Sequence, residues 1–363
     1  MITLLSSGVT LGTYVPAKVL AGRLASAGVP STVEVFESLL GEAEARRAQA
    51  AAPAFRNDFK VAVTALRLVR DQTPRLDQQR VSELRRRWAA ERRARFVVFS
   101  GFWQPIVARY VQAAAWPVRV DVCHLDAAAA PSFRLLEPPR ADWRKVWMFD
   151  AEADRIPCTI PITDDEPLPW SQRERRVLAH GGGWGLGDYR DRAAEMAAHG
   201  LGVDLVVHDP ADVDHGLSNA RHFMIDPAWV PWIDGGFPPF RRISGPAPGP
   251  FASRRDHHDS FELARRAVAM ICKTGGGTLL DSLWSATPII TLEPFGAHEA
   301  VNADLWRRLG FGTTFAAWRD GGFRFDELEP MHLRLMQARN GVVDYSDELA
   351  GRAREAAGTG ADW

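Results

Sequence analysis

Short apolar runs alternate along the chain with longer segments of helical periodicity, and turns rich in glycine or small residues join them. The runs predict strands at Ile2–Ser6, Ser31–Phe36, Phe96–Phe99, Val118–Val122, Arg176–Ala179, Val203–Val207, Ala269–Cys272 and Ile289–Leu292. The helical period predicts helices at Pro16–Ala27, Asp58–Arg70, Leu76–Arg92, Asp188–His199 and Glu299–Leu309, and across most of Asp326–Ala357. Strands that alternate with helices favour parallel sheets covered on both faces, so the predicted fold class is α/β.

A proline-rich, acidic stretch at Ile160–Trp170 interrupts this alternation, which then restarts. We therefore predict two α/β lobes with a cleft between them, over residues 1–165 and 166–340, and a helical tail over 341–363. The segment Asp226–Asp256 contains seven prolines and is predicted to lack regular structure. A surface loop packed by its own aromatic residues is favoured there, and a loop that overhangs a ligand site is the alternative.

Composition excludes several classes of protein. Of the 363 residues, 46% are hydrophobic and 25% are charged, which argues against disorder, and a net charge of −1 gives no bulk attraction to nucleic acid. The three cysteines are widely spaced, which fits a reducing, cytoplasmic location. The start of the chain reads as a strand and not as a signal peptide, and no apolar run is long enough to span a membrane.

Two strand–glycine–helix junctions occur in the second half, at His180–Gly187 and at Lys273–Thr278. If their strands are neighbours in a parallel sheet, both helix starts point main-chain N–H groups at one place, an arrangement that suits a diphosphate. Neither junction is a P-loop, because no Gly-Lys-Ser/Thr follows. Asp281 lies two helical turns beyond Thr274, where its carboxylate could accept hydrogen bonds from the two hydroxyls of a ribose. A solvated or capping aspartate is the alternative.

The segments that carry these features are similar to the donor signature of GT-B nucleotide-sugar glycosyltransferases. The signature covers Cys272–Asp281, Thr287–Ile290, Pro294–Phe295 and His298–Ala303, and Gly8–Ala17 and Gly181–Gly185 resemble the family's two other loops. The peptidoglycan N-acetylglucosaminyltransferase and UDP-dependent natural-product glycosyltransferases are the members that it most resembles. The resemblance implies two Rossmann-like domains facing a central cleft, with the acceptor on the first and the nucleotide sugar on the second.

The same resemblance implies the roles of particular residues. The donor diphosphate would contact Gly12, Gly182, Gly183, Trp184, Gly275, Gly276, Gly277 and Thr278. Asp281 takes the place of the family's ribose-binding glutamate. The donor sugar would contact His298, Glu299 and Asn302, and the nucleobase would contact Phe223, Met224 and Ile225. For Glu299, a first-turn carboxylate favoured by the helix dipole is the alternative.

The chain departs from the family at the catalytic base, because Thr13 stands where many relatives have histidine. A threonine hydroxyl has no useful basicity near neutral pH. His124 and Asp126, at the end of a predicted strand, are the best candidates for a base from elsewhere in the first lobe. The alternatives are that His124 is an ordinary loop histidine and that Asp126 is a helix N-cap ahead of Ala127–Ala130. Two further alternatives are an acceptor that needs little deprotonation, and a reaction other than glycosyl transfer to an alcohol.

The resulting hypothesis is a metal-independent, inverting transferase that needs no cofactor and moves a sugar from a nucleoside diphosphate, with UDP expected, to a small-molecule acceptor. A nucleotide-sugar hydrolase or epimerase of the same fold, and a non-catalytic auxiliary protein with a degenerate donor site, are the alternatives. The ten arginines between Arg67 and Arg95 are interpreted as the solvated face of a helix, with a peripheral membrane, acceptor or protein contact as the alternative. The sugar, the acceptor, the type of bond and the oligomeric state are left open.

Overall fold

The computed structural model describes residues 1–9, 11–67, 71–134, 140–217, 219–244 and 249–359. Residues 68–70 of the helix predicted over Asp58–Arg70, and residues 360–363 of the predicted tail, lie outside the described residues. The first half comprises β1 (Ile2–Ser6), α1 (Tyr14–Ser26), β2 (Ser31–Val35), α2 (Glu42–Asn57), α3 (Phe59–Arg67), α4 (Gln78–Ala90), β3 (Arg95–Val98), α5 (Gln104–Ala113), β4 (Arg119–His124), α6 (Pro131–Arg134), β5 (Arg144–Trp147) and β6 (Cys158–Thr159).

The second half repeats the alternation of strands and helices. It comprises β7 (Glu174–Ala179), α7 (Tyr189–Ala198), β8 (Gly202–Val207), β9 (Ala220–Ile225), β10 (Phe240–Arg242), α8 (Asp259–Arg266), β11 (Ala267–Cys272), α9 (Gly276–Ser285), β12 (Ile289–Thr291), α10 (Ala297–Arg308), β13 (Gly312–Thr314), α11 (Phe315–Asp320), α12 (Glu329–Ala338), β14 (Val343–Asp344) and α13 (Tyr345–Thr359). No helix starts at Ala127, so Asp126 is not the N-cap of a helix over Ala127–Ala130.

The described strands form two large, mainly parallel sheets and a two-stranded parallel sheet of β6 and β14, which confirms the α/β prediction. The first sheet has the order β2-β1-β3-β4-β5, and the second has the order β10-β9-β8-β7-β11-β12-β13, where only β10 pairs antiparallel among the described strands. Apart from β10, the second order is that of a dinucleotide-binding fold. In such sheets a crevice opens at the carboxyl ends of the two strands where the order reverses. These strands are β1 and β3 in the first sheet, and β7 and β11 in the second.

A shared core and the end of the chain join the two lobes. One buried apolar cluster takes side chains from both, and Phe149 packs edge-on against Trp306 of α10 with 5.3 Å between ring centroids. Helix α13 lies against the first lobe, where the Tyr345 hydroxyl donates to Asp121 of β4 (2.8 Å) and Arg354 donates to the Ala27 carbonyl (2.7 Å). The lobes therefore pack directly on each other, in addition to the covalent link between them.

Residues 245–248 of the proline-rich segment Asp226–Asp256 lie outside the described residues, and the described part contains one short regular element, which corrects the prediction that it has none. Phe240–Arg242 forms β10 beside Phe223–Ile225 of β9. A strand among prolines is tolerated there because an edge strand needs hydrogen bonds on one side only. The segment also reaches the first lobe, since the Tyr14 hydroxyl donates to the Gly236 carbonyl at 2.7 Å.

Among the described residues, no helix has both the length and the apolar character needed to cross a bilayer. Helix α4 carries many of the arginines of the basic stretch, and it buries Val81, Leu84 and Trp88 on one face. This is the amphipathic helix that the spacing predicts. Contact of its charged face with a membrane or a partner stays a prediction.

Candidate active site

A cavity of about 670 Å³ lies between the lobes at the carboxyl ends of both sheets. It brings together most of the residues singled out in the sequence. Those that line it are Gly12, Thr13, His124, Asp126, Gly182, Gly183, Trp184, Ile225, Gly275, Gly276, Gly277, Thr278, Asp281, His298 and Glu299. Phe223, Met224 and Asn302 do not line it.

The two glycine junctions follow neighbouring strands, as predicted, because β7 pairs with β11 in parallel. After β7 the chain turns so tightly that a Cβ on Gly181 would lie 2.4 Å from the carbonyl carbon of Gly185, and Gly185 itself has φ +66°. Only glycine fits both positions. The loop ends against the first lobe, where Trp184 packs on Phe55 of α2 with ring centroids 5.5 Å apart.

A carboxylate of the first lobe occupies the start of α9. Asp126 Oδ1 accepts from the Gly276 N–H (2.9 Å) and from Asn302 Nδ2 (2.7 Å), and Asn302 Oδ1 accepts from the Ala127 N–H (2.7 Å). Burial raises the pKa of Asp126. Asn302 is fully buried and ties the lobes together, so the structure does not bring it to the donor sugar. One of the main-chain donors expected to bind the diphosphate thus already holds an anionic group.

A lysine that the sequence argument missed also lines the cleft. Lys273 directly follows β11, its Nζ lies 3.7 Å from Glu299 Oε1, and it is 5.1 Å from the ring centroid of Phe295. Glu299 is buried and its other oxygen accepts from the Phe295 N–H at 2.7 Å. The position of Lys273 immediately before the glycine turn was the signal that could have identified it.

Asp281 lies on the cleft wall with a histidine partner. His258 Nε2 lies 3.0 Å from Asp281 Oδ1, and His258 Nδ1 lies 2.7 Å from the Ser260 hydroxyl. Burial alone would lower the pKa of His258, but the neighbouring Asp281 carboxylate outweighs it and the pKa is raised. Local sequence patterns do not reveal this pair, because 23 residues separate His258 from Asp281.

The three candidate bases, Thr13, His124 and Asp126, differ in how free each side chain is to accept a proton. The Thr13 hydroxyl bonds the main chain of Ser7 at both its N–H (3.0 Å) and its carbonyl (3.1 Å), so it shapes the first loop. His124 is stacked on Trp147 with ring centroids 3.9 Å apart, and burial lowers the pKa of His124 to about 4. Its Nδ1 is buried and has no hydrogen-bond partner among the described residues. The Asp126 carboxylate already accepts a hydrogen bond from the Gly276 N–H at the start of α9.

The predicted nucleobase contacts lie mostly inside the second lobe. Phe223 and Met224 are buried, and β9 is paired with β8 on one side and β10 on the other. Their side chains pack in apolar clusters and their strand is paired on both sides, so neither reaches the cavity. Ile225, at the end of the strand, does. Contact of the end of this strand with a nucleobase stays a prediction.

No family model and no curated protein matches the chain. Solved structures do. The glycosyltransferase SnogD from Streptomyces nogalater has 16% identity and a TM-score of 0.56, over 98% of this chain and 99% of its own. UGT89C1 of Arabidopsis thaliana, complexed with UDP, has 12% identity and a TM-score of 0.51, over 96% and 98%. The spinosyn rhamnosyltransferase SpnG, complexed with thymidine diphosphate, has 13% identity and a TM-score of 0.51, over 98% and 100%. Together with the strand orders and the interlobe cleft, these similarities show that the chain has the GT-B fold.

Proposed function

We propose that the protein is a glycosyltransferase that moves a sugar from a nucleoside diphosphate, with UDP expected, to a small-molecule acceptor. The observation that carries the proposal is the position of both glycine junctions, at the ends of β7 and β11, in one cleft with Asp281. Two of the similar structures are complexes with UDP and with thymidine diphosphate, which supports a nucleoside diphosphate donor.

The second lobe supplies the donor chemistry. Main-chain N–H groups at the starts of the two junctions and the Lys273 ammonium would stabilise the charge on the departing diphosphate. The carboxylate of Asp281, oriented by His258, would accept hydrogen bonds from ribose hydroxyls. Glu299 and His298 face the cavity where the sugar would lie. Because protein groups can supply the positive charge, we expect turnover without added metal.

The first lobe offers an apolar wall for the acceptor. It includes Phe36, Leu40, Phe99, Phe102 and Phe133, all of which line the cavity. A ligand with a flat or branched apolar body fits such a wall, and a hydroxyl or amine at one end would reach the donor. Direct attack by this group on the anomeric carbon, opposite the leaving diphosphate, inverts that centre.

Thermal unfolding with a panel of nucleoside diphosphates tests the donor half of the proposal. A nucleotide at 100 times its dissociation constant is expected to stabilise the fold by about 2.7 kcal/mol. UDP should raise the melting temperature and inorganic phosphate at equal concentration should not. No shift with any of UDP, TDP, GDP or ADP would favour the auxiliary protein, and free sugar or an epimer formed from UDP-glucose without acceptor would favour the hydrolase or epimerase.

Exchange of Asp126 for asparagine is expected to tighten nucleotide binding. The carboxylate holds the Gly276 N–H, so an incoming diphosphate must displace one anion before it can bind there. Asparagine keeps the shape and removes the charge, and a charged hydrogen bond is stronger than a neutral one by roughly 1 kcal/mol. We expect about a threefold to tenfold lower dissociation constant for UDP, measured by calorimetry. Weaker binding in Asp126→Asn would show that the carboxylate assists the nucleotide.

A further inference from the structure

A buried carboxylate on the acceptor side of the cleft has no assigned role in the proposed sugar transfer. Glu37 lies in the turn after β2, is 4% exposed and lines the cavity. Its Oε1 accepts from the Ser7 hydroxyl at 2.6 Å, and its Oε2 accepts from the Gly8 N–H at 2.7 Å. Ser7 lines the same cavity. The two side chains form a hydroxyl–carboxylate pair at the carboxyl ends of β1 and β2.

Ser7 begins the loop that leads from β1 toward the start of α9, the donor helix. Ser7 is bonded through its main chain to Thr13, and the carbonyl oxygen of the preceding Gly12 lies 3.7 Å from where a Cβ of Gly277 would be. Gly277 is in the first turn of α9. The loop therefore runs from the start of the donor helix to the apolar wall of the first lobe. An acceptor bound on that wall would place its hydroxyl between the wall and the start of the donor helix.

Two other ionisable groups that line the cavity, Asp126 and His124, are poorly suited to accept a proton. Asp126 is engaged by Gly276 and Asn302, and burial lowers the pKa of His124 to about 4. Burial raises the pKa of Glu37, against hydrogen bonds from Ser7, Gly8 and Val9 that lower it. A general base works best when its pKa lies near the working pH.

Given the proposed function, we infer that Ser7 and Glu37 together deprotonate the acceptor. The acceptor hydroxyl donates to Ser7 Oγ while the Ser7 proton passes to Glu37 Oε1. The acceptor oxygen forms its bond to the anomeric carbon as the bond from that carbon to the diphosphate oxygen breaks, and the diphosphate leaves with the electron pair. Glu37 later returns its proton through Ser7, and solvent takes it up after the product has left.

Two phenols of similar size and different acidity test the inference, with UDP-glucose as donor. At pH 8, 4-nitrophenol is largely ionised and needs no base, whereas 4-methoxyphenol is neutral. Glu37→Gln and Ser7→Ala are expected to lower kcat for 4-methoxyphenol by about 100-fold or more, the usual effect of losing a general base. Both should keep most of the activity with 4-nitrophenol, and the KM for UDP-glucose should not change.

Glu34→Gln is the matched control. Glu34 lies three residues earlier, in β2, pairs with Arg87 and does not line the cavity, so both rates should stay at the wild-type level. If Glu37→Gln loses activity equally with both phenols, Glu37 only shapes the loop. If Glu37→Gln keeps full activity with both phenols, Glu37 is excluded as a base. Either result overturns the inference, whereas sugar transfer by the wild type still supports the proposed function. A wild type that binds UDP-glucose but neither transfers nor hydrolyses it would overturn both.

Discussion

Replacement of Gly276 by alanine is expected to stop the lobes from closing and to lower kcat at least tenfold. A Cβ at this position would lie 2.2 Å from the carbonyl oxygen of Leu125 and 2.6 Å from its carbonyl carbon. These are main-chain atoms of the other lobe, so they cannot move aside as a flexible side chain would. Overpacking of this kind costs about 1–3 kcal/mol, which opposes the closed form roughly tenfold to hundredfold.

Gly277→Ala is the matched control, one residue along the same helix. The nearest atom to its Cβ would be the Gly12 carbonyl oxygen at 3.7 Å, an ordinary contact. Alanine favours a helix over glycine by about 1 kcal/mol, so neither variant should lose stability within the second lobe. Small-angle scattering should give a larger radius of gyration for Gly276→Ala and the wild-type value for Gly277→Ala. Identical radii in both variants would show that the contact with Leu125 does not limit closure.

The second large effect is expected for Asp281→Ala, which should weaken UDP binding about tenfold to hundredfold. A hydrogen bond to a charged group contributes roughly 1.5–3 kcal/mol, and the carboxylate is the group expected to accept from the ribose. The change also leaves His258 Nε2 without its 3.0 Å partner. Because the sugar of thymidine diphosphate lacks the 2′-hydroxyl, its affinity should fall less than that of UDP.

Calorimetry with both nucleotides measures this difference. Asp304→Ala is a suitable control, because Asp304 is an exposed aspartate of α10 that pairs with Arg307 and does not line the cleft. An Asp281→Ala protein that binds UDP with wild-type affinity would remove Asp281 from the ribose site, and equal losses for UDP and thymidine diphosphate would place it away from the 2′-hydroxyl.

Local signals made much of the fold predictable. The β1 prediction matches the observed strand, Ile2–Ser6, and β8 begins one residue earlier than predicted, because each is an apolar run that ends in a turn. The glycine turns after β7 and β11 were predictable for the same reason. The site was predictable in part, since the helical spacing placed Asp281 on the side of α9 that lines the cleft. The extent of β9 was not predictable, because it depends on the neighbouring strands. Which residues near Ile225 reach the cleft was therefore not predictable either.

The sequence by itself determined the two α/β lobes, the glycine junctions and the helix that carries Asp281, because these follow from hydrophobic period and turn chemistry over a few residues. Only the tertiary structure decided that Asp126 binds Gly276 across 150 positions, that His258 pairs with Asp281, and that Glu37 lies behind Ser7. Such contacts depend on how two lobes and their strand orders are arranged in space. A side chain's local sequence carries no record of the distant partner that folding places beside it.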